Sequence, residues 1–175
     1  MSKGVNELIA EEVLLRQARD GHTAAFVEFS TRWWPVIGRV AWSMLGNTAQ
    51  ATAITEEVIG IALRSPEPPE MPVGFSMYRL TIWLAIIRRR SSRQPVEAET
   101  PVLRALGRLY CMDRAAFLLR DVEQLSIEDA AAILETSPEE ILDRVHRARI
   151  RLAFFPRDAV EPPAFDLDLP QRRLA

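Results

Sequence analysis

Two clusters of basic side chains carry most of the chemistry this sequence offers. Arg88, Arg89, Arg90 and Arg93 crowd about one and a half helical turns. Four guanidiniums that close repel one another unless anions are near, which points to phosphate as a ligand. The competing reading is that cations at the end of a helix complement its dipole. The second cluster is Arg144, His146, Arg147, Arg149 and Arg151, which make the end of a later segment basic. Other chemistries lack their parts. Two histidines and one cysteine do not make a metal site. There is no Gly-rich phosphate loop and no G-x-S-x-G. No catalytic residue, metal or cofactor is expected, and the chain does not read as an enzyme.

The second cluster sits in LSIEDAAAILETSPEEILDRVHRARIRLAFF, residues 125–155. Ser126 and Asp129 form a capping-box-like pair, followed by Ile127, Ala130, Ala131 and Leu134 at helical spacing. Glu135-Thr136 breaks the pattern. Ser137 restarts it as a second N-cap, with Pro138 at the first helical position and Glu140 closing the box. Ile141, Val145, Ala148 and Leu152 make one apolar stripe; Glu139, Asp143, His146, Arg147 and Ile150 lie opposite. Two capped helices on a tight turn, the second basic toward its end, read as a helix-turn-helix or as an ordinary helical hairpin.

Composition bounds the rest. The chain has 175 residues, enough for one domain or two small ones, and 48% hydrophobic residues, enough for packed cores. No run approaches the roughly 18 apolar residues of a membrane span, and the acidic start lacks a signal core, so neither membrane nor export is expected. The single Cys111 excludes an internal disulfide and fits a reducing cytoplasm. It reads as a small core residue or a redox sensor; no Lys or Arg lies in its run, Leu109–Met112, to lower its pKa. The formal charge is -2, so any contact with DNA must rest on local patches. Residues 1–93 are net +2, 94–155 net -3 and 156–175 net -1. The half holding the helix-turn-helix is thus acidic overall.

In order, Leu8–Arg19 reads as a helix with Leu8, Val13, Leu14 and Ala18 inward. Thr23 caps a second, with Phe26, Phe29, Trp33, Trp42 and Leu45 facing in and a kink or break at Pro35 near Trp34. The paired tryptophans suit the core or base stacking. After the turn Gly46-Asn47-Thr48 comes a helix over Ala49–Arg64, with Glu56-Glu57 as a solvated acidic patch or a contact. The four prolines of Ser65–Val73 demand a loop. The next helix, FSMYRLTIWLAIIRRRSSR, is hydrophobic nearly all round, so it should be buried on more than one side. QPVEAETP, 94–101, reads as an exposed linker. Val102–Leu109 opens the following unit, and Asp113–Val122 is a helix with Phe117 and Leu118 inward. The end, 156–175, alternates proline, acid and apolar residues and reads as poorly ordered or laid on the surface.

The order and spacing of Arg120-Asp121, Glu123, Leu125-Ser126, Ala130–Ala132 and His146-Arg147-Ala148-Arg149 resemble the C-terminal domain of extracytoplasmic-function sigma factors, bacterial transcription initiation subunits. DGHTAAFVEFSTRWWPVIGRVAWSMLGN and ATAITEEVIGIAL are similar to their N-terminal domain. The resemblance implies an all-α fold: a region-2-like bundle over 1–93, a linker over 94–101, a region-4-like helix-turn-helix over 102–155 and a tail. It implies core RNA polymerase and promoter DNA as partners, and it admits an anti-sigma factor. Polymerase contact carries over to Glu56 and Glu57; the early acids of that helix are replaced by Thr52 and Ala53. DNA contact carries over to Arg144, His146, Arg147, Arg149 and Arg151 upstream, with His146 and Arg147 best placed. Downstream it falls to the helix ending in Arg88, Arg89, Arg90 and Arg93. There Tyr78, Trp83, Ala85 and Arg89 depart from the family's usual Trp, Ala, Asn and Asp. Those departures open a second expectation: a degenerate sigma-like interaction module or regulator that does not initiate transcription.

Overall fold

The fold is known from a computed structural model, which describes residues 2–65, 70–91 and 100–154. It is all-helical, with no strand among the described residues. The elements are α1 (Ser2–Arg19), α2 (Thr23–Leu45), α3 (Thr48–Arg64), α4 (Val73–Ser91), α5 (Pro101–Gly107), α6 (Cys111–Phe117), a π-helical turn (Leu118–Val122), α7 (Ile127–Leu134) and α8 (Pro138–Ala153). Met1 and residues 66–69, 92–99 and 155–175 lie outside the description, and with them part of the expected loop, Arg93, most of the expected linker and the tail.

Helices α1 to α4 pack round α2. Phe29, Ile37, Val40, Ala41, Met44, Ile54, Val58, Met77 and Ile82 are all nearly inaccessible to solvent. Trp33 and Trp34 are buried, and Trp33 meets Tyr78 edge-on with ring centroids 6.2 Å apart. The tryptophans therefore belong to the core. Two expectations for α2 are corrected. The short break that Pro35 allowed near Trp34 does not occur, and the helix runs unbroken from Thr23 to Leu45. Burial of Trp33, Trp34, Ile37 and Gly38 on either side outweighs the roughly 3 kcal/mol a helical proline costs. The N-cap is His22, not Thr23, and no side chain caps there; Phe26 is exposed. Helix α1 also begins earlier than expected, at Ser2.

Local signals hold where the reading rested on caps. Gly46, at φ +79°, closes α2 in the left-handed conformation that glycine tolerates best. Asn47 then accepts from the Gln50 N–H (2.9 Å) to start α3. Ser126 accepts from the Asp129 N–H (2.9 Å), and Ser137 from the Glu140 N–H (3.2 Å). The apolar stripe of α8 faces in as expected: Ile141, Val145 and Ala148 are buried, and Leu152 packs partly against the core. The expected helix Asp113–Val122 is instead α6 plus the π-helical turn, closed by Glu123 N–H donating to the Leu118 carbonyl (2.9 Å).

Helix α4 is buried on more than one side, as its composition demanded. It packs against α2 and α3, and also against α7 of the helix-turn-helix. The core is continuous from Phe29 and Ile54 through Leu103 and Leu106 to Ala130 and Ile141.

Candidate nucleic-acid interface

Helix α8 exposes Glu139, Leu142, Asp143, His146, Arg147, Arg149 and Ile150. Leu142 and Ile150 are about half exposed, at 52% and 48%. An open groove of about 350 Å³ runs between this helix and Arg120, with Asp143, His146 and Arg149 on its walls.

The arginines of α8 are not free in this arrangement. Arg147 donates to both oxygens of Asp113 (3.0 and 3.4 Å) and to Glu140 (3.4 Å). Asp113 is 2% exposed, so a carboxylate in the core has drawn Arg147 back toward α6. Hydrogen bonding to Asp113 is the main reason the Arg147 guanidinium holds its proton more firmly than usual. Arg149 forms a two-bond pair with Asp121 (2.6 and 2.8 Å), which raises its pKa likewise. Arg144 pairs with Glu140 one turn back (2.9 Å). Arg151 lies over the exposed Tyr110 ring, 4.2 Å from its centroid. Glu139, at the N-terminus of α8, has its pKa lowered by its own backbone N–H and by Ser137. His146 is exposed on the groove.

The second cluster is dispersed. Arg88 pairs with Glu57 (3.0 Å), so a residue assigned to DNA and one assigned to polymerase meet each other. Arg89 donates to the carbonyls of Gly107 (3.0 Å) and Met44 (3.4 Å), joining α4 to the ends of α5 and α2. Arg90 is exposed, and Arg93 lies outside the described residues. Glu56 is exposed on α3. The repulsion expected among these cations is relieved by separate partners, at least for Arg88 and Arg89.

Residues 101–152 match the family model of sigma-70 region 4. That match makes residues 101–152 a region-4-like unit. The fold of the chain is also that of solved extracytoplasmic-function sigma factors. CnrH, solved in complex with the cytosolic domain of CnrY, is 22% identical, with a TM-score of 0.64 over 82% of this chain and 95% of that one. The sigma factor RpoE of Bartonella quintana, solved with the anti-sigma factor NepR, is 21% identical, with a TM-score of 0.60 over 73% of this chain and 93% of that one. No curated protein sequence matches this chain. In sigma-70 terms, α7 and α8 are the helix-turn-helix of region 4. Among the described residues no helix is long and apolar enough to cross a membrane, and no group of three or more potential metal ligands converges.

Sequence reasoning missed the contacts of three residues that matter for this surface. Arg114 is 1% exposed and donates to the carbonyls of Met44 (2.5 Å) and Leu109 (3.4 Å). Burial first, and Arg89 second, push its pKa down to about 10, while the nearby Cys111 sulfur favours its charge. Cys111 is half-buried against the core, one turn before Arg114. Glu123 is buried by α2 and α4, and Arg79 reaches α7. No local pattern marks these three, because each depends on a partner dozens of residues away.

Proposed function

We propose that the chain is an RNA polymerase sigma factor of the extracytoplasmic-function type, which directs promoter recognition and transcription initiation in the bacterial cytoplasm. The observation that carries this is the pair of capped helices α7 and α8, matched to region 4 and set within a sigma-like fold. Residues 1–93 act as region 2, 102–155 as region 4, 94–101 as linker and 156–175 as tail. Region 4 enters the major groove at the upstream element through α8. His146, Arg149 and Arg151 are the most available contacts, because exposed partners are readily exchanged for phosphate. Arg147 and Arg144 follow, once their carboxylates let go. Arg88, Arg89, Arg90 and Arg93 supply positive charge at the downstream element, and Glu56 and Glu57 contact core polymerase. The sigma factor works without a cofactor and is not itself an enzyme. Both solved neighbours were captured with a second protein, and an anti-sigma factor is the corresponding partner here.

The test is run-off transcription with purified core polymerase on genomic fragments. Discrete transcripts that depend on this protein are expected. A protein that co-elutes with core polymerase on gel filtration yet yields no discrete transcript would overturn the initiation reading. Failure to co-elute at micromolar concentration would overturn the assignment of Glu56 and Glu57.

A further inference from the structure

We propose that the exposed face of α8 is a docking surface for the chain's own C-terminal segment, residues 164–173, laid antiparallel along the helix. The face is Glu139, Leu142, Asp143, His146, Arg149 and Ile150. At about 100° per residue these fall within roughly one third of the helix circumference. Two features set this face apart from a plain basic surface. Leu142 and Ile150 put apolar side chains, each about half exposed, two turns apart. The charge along the face also changes sign: acids stand first, at Glu139 and Asp143, and the cation comes later, at Arg149. A duplex answers Arg149 and His146 but meets the two acids with like charge, and its phosphates do not cover the apolar pair.

The segment AFDLDLPQRR, 164–173, complements the face in both respects. Phe165, Leu167 and Leu169 alternate with Asp166 and Asp168. An extended backbone sends such alternating residues to opposite sides, so one side is apolar and the other acidic. Arg172 and Arg173 follow. The order is thus acid and apolar first, basic last, the reverse of the order on α8. A chain doubling back from the end of the helix meets Arg149 first and Asp143 and Glu139 afterwards. Antiparallel placement therefore sets Asp166 and Asp168 by Arg149, the three large apolar residues by Ile150 and Leu142, and the two arginines by Asp143 and Glu139. The lengths agree. From Arg149 back to Asp143 and Glu139 is about 9–15 Å along the helix axis. Four extended residues, from Asp168 to Arg172, span roughly 13 Å. The twelve residues from Phe154 to Asp166 reach roughly 40 Å, ample for the reversal.

The docking rests on the surface of α8 and the order of residues in the tail; only its consequence for DNA rests on the proposed function. The test uses the full chain in a Cys111→Ser background. Spin labels at Gln171→Cys and at the exposed Ala132→Cys on α7 report where the tail lies, by double electron–electron resonance. A narrow distance distribution is expected. Replacing Phe165, Leu167 and Leu169 together by Ser should abolish it, and none of the described helices depends on those residues for its caps. Arg172→Glu with Arg173→Glu should lower the ratio of docked to undocked chains about threefold. Adding Asp143→Lys should restore it. One broad distribution shared by the unaltered chain and the triple Ser variant overturns the docking. A loss that Asp143→Lys does not restore overturns the antiparallel placement. The narrow distance in a mixture of two singly labelled chains puts the tail on a second copy and overturns the intramolecular reading. Anisotropy with a labelled duplex gives the consequence. The triple Ser variant should bind about tenfold tighter if the tail covers the face nine-tenths of the time. A narrow distance with no such gain upholds the docking and counts against DNA reading by α8; a narrow distance with the gain upholds both.

Discussion

Helices α4 and α8 each carry four arginines, and two of those on α4 are used differently from those on α8. On α4, Arg79 and Arg89 donate to main-chain carbonyls of other elements. On α8, Arg144, Arg147 and Arg149 pair with carboxylates, and Arg151 covers a tyrosine ring. A main-chain carbonyl at a helix end fixes the arginine between two elements, so an arginine bound there is architecture. A surface carboxylate holds its arginine weakly against water and salt, so the cation can be passed to a phosphate. Composition alone makes the two helices look equally suited to nucleic acid. Their acceptors separate them: α4 builds the junction, and α8 keeps a removable shield over its basic face.

The largest test of that contrast is Arg79→Ala. It removes three charge-assisted contacts from a side chain that is 24% exposed, and should cost about 2–3 kcal/mol in urea denaturation. Arg90→Ala, on the exposed part of the same helix, should stay within about 0.5 kcal/mol. If the two variants unfold alike, the division between architectural and exchangeable arginines is wrong.

Arg147 is the intermediate case, with an exposed guanidinium on a buried acid. Arg147→Ala strands the Asp113 carboxylate in the core, so it should lower the melting temperature more than Arg149→Ala, whose Asp121 partner is far more accessible. Arg147→Lys should recover only part of the loss, because an ammonium lacks the fork that meets both oxygens of Asp113. Equal melting temperatures for Arg147→Ala and Arg149→Ala would place Arg147 with the exchangeable set.

A smaller effect belongs to the caps. Ser137→Ala removes the acceptor for the Glu140 N–H and should cost about 1 kcal/mol, read as a shift in urea midpoint at unchanged slope. That the caps of α7 and α8 could be named in advance shows which parts of this fold are legible. Ser126, Ser137 and Pro138 act on backbone within a few residues and stand at helix starts where the sequence puts them, and Gly46-Asn47 makes the turn expected there; Thr23, also read as a cap, lies inside α2. The stripe Ile141–Val145–Ala148 was equally local. The break expected at Pro35 is absent because its local penalty is overridden by tryptophans packed against distant helices. The π-helical turn, the burial of Asp113 and Arg114, and the Arg39–Glu123–Tyr78 contact have no short-range signature. The candidate interface was legible as a helix and as a set of residue types. Which arginines are occupied was not, because Asp113 and Asp121 lie 34 and 28 residues from the cations they hold.

The smallest expected effect concerns the acids that α8 presents beside its cations. Asp143 is exposed on the wall of the groove, one turn before Arg147. Near a duplex it repels phosphate. Asp143→Ser removes that repulsion, keeps a polar surface and leaves the buried stripe untouched. Non-specific affinity for a labelled duplex should therefore rise modestly, most clearly at low salt, where screening is weakest. Arg149→Ala should act in reverse, weakening binding and reducing the salt slope by about one counterion. The measurement is fluorescence anisotropy across a salt series for the wild type and both variants. A shielded but functional α8 predicts that the two changes move affinity in opposite directions and that the curves converge as salt rises. If all three proteins show the same negligible binding at low salt up to tens of micromolar, α8 does not read DNA in the isolated chain.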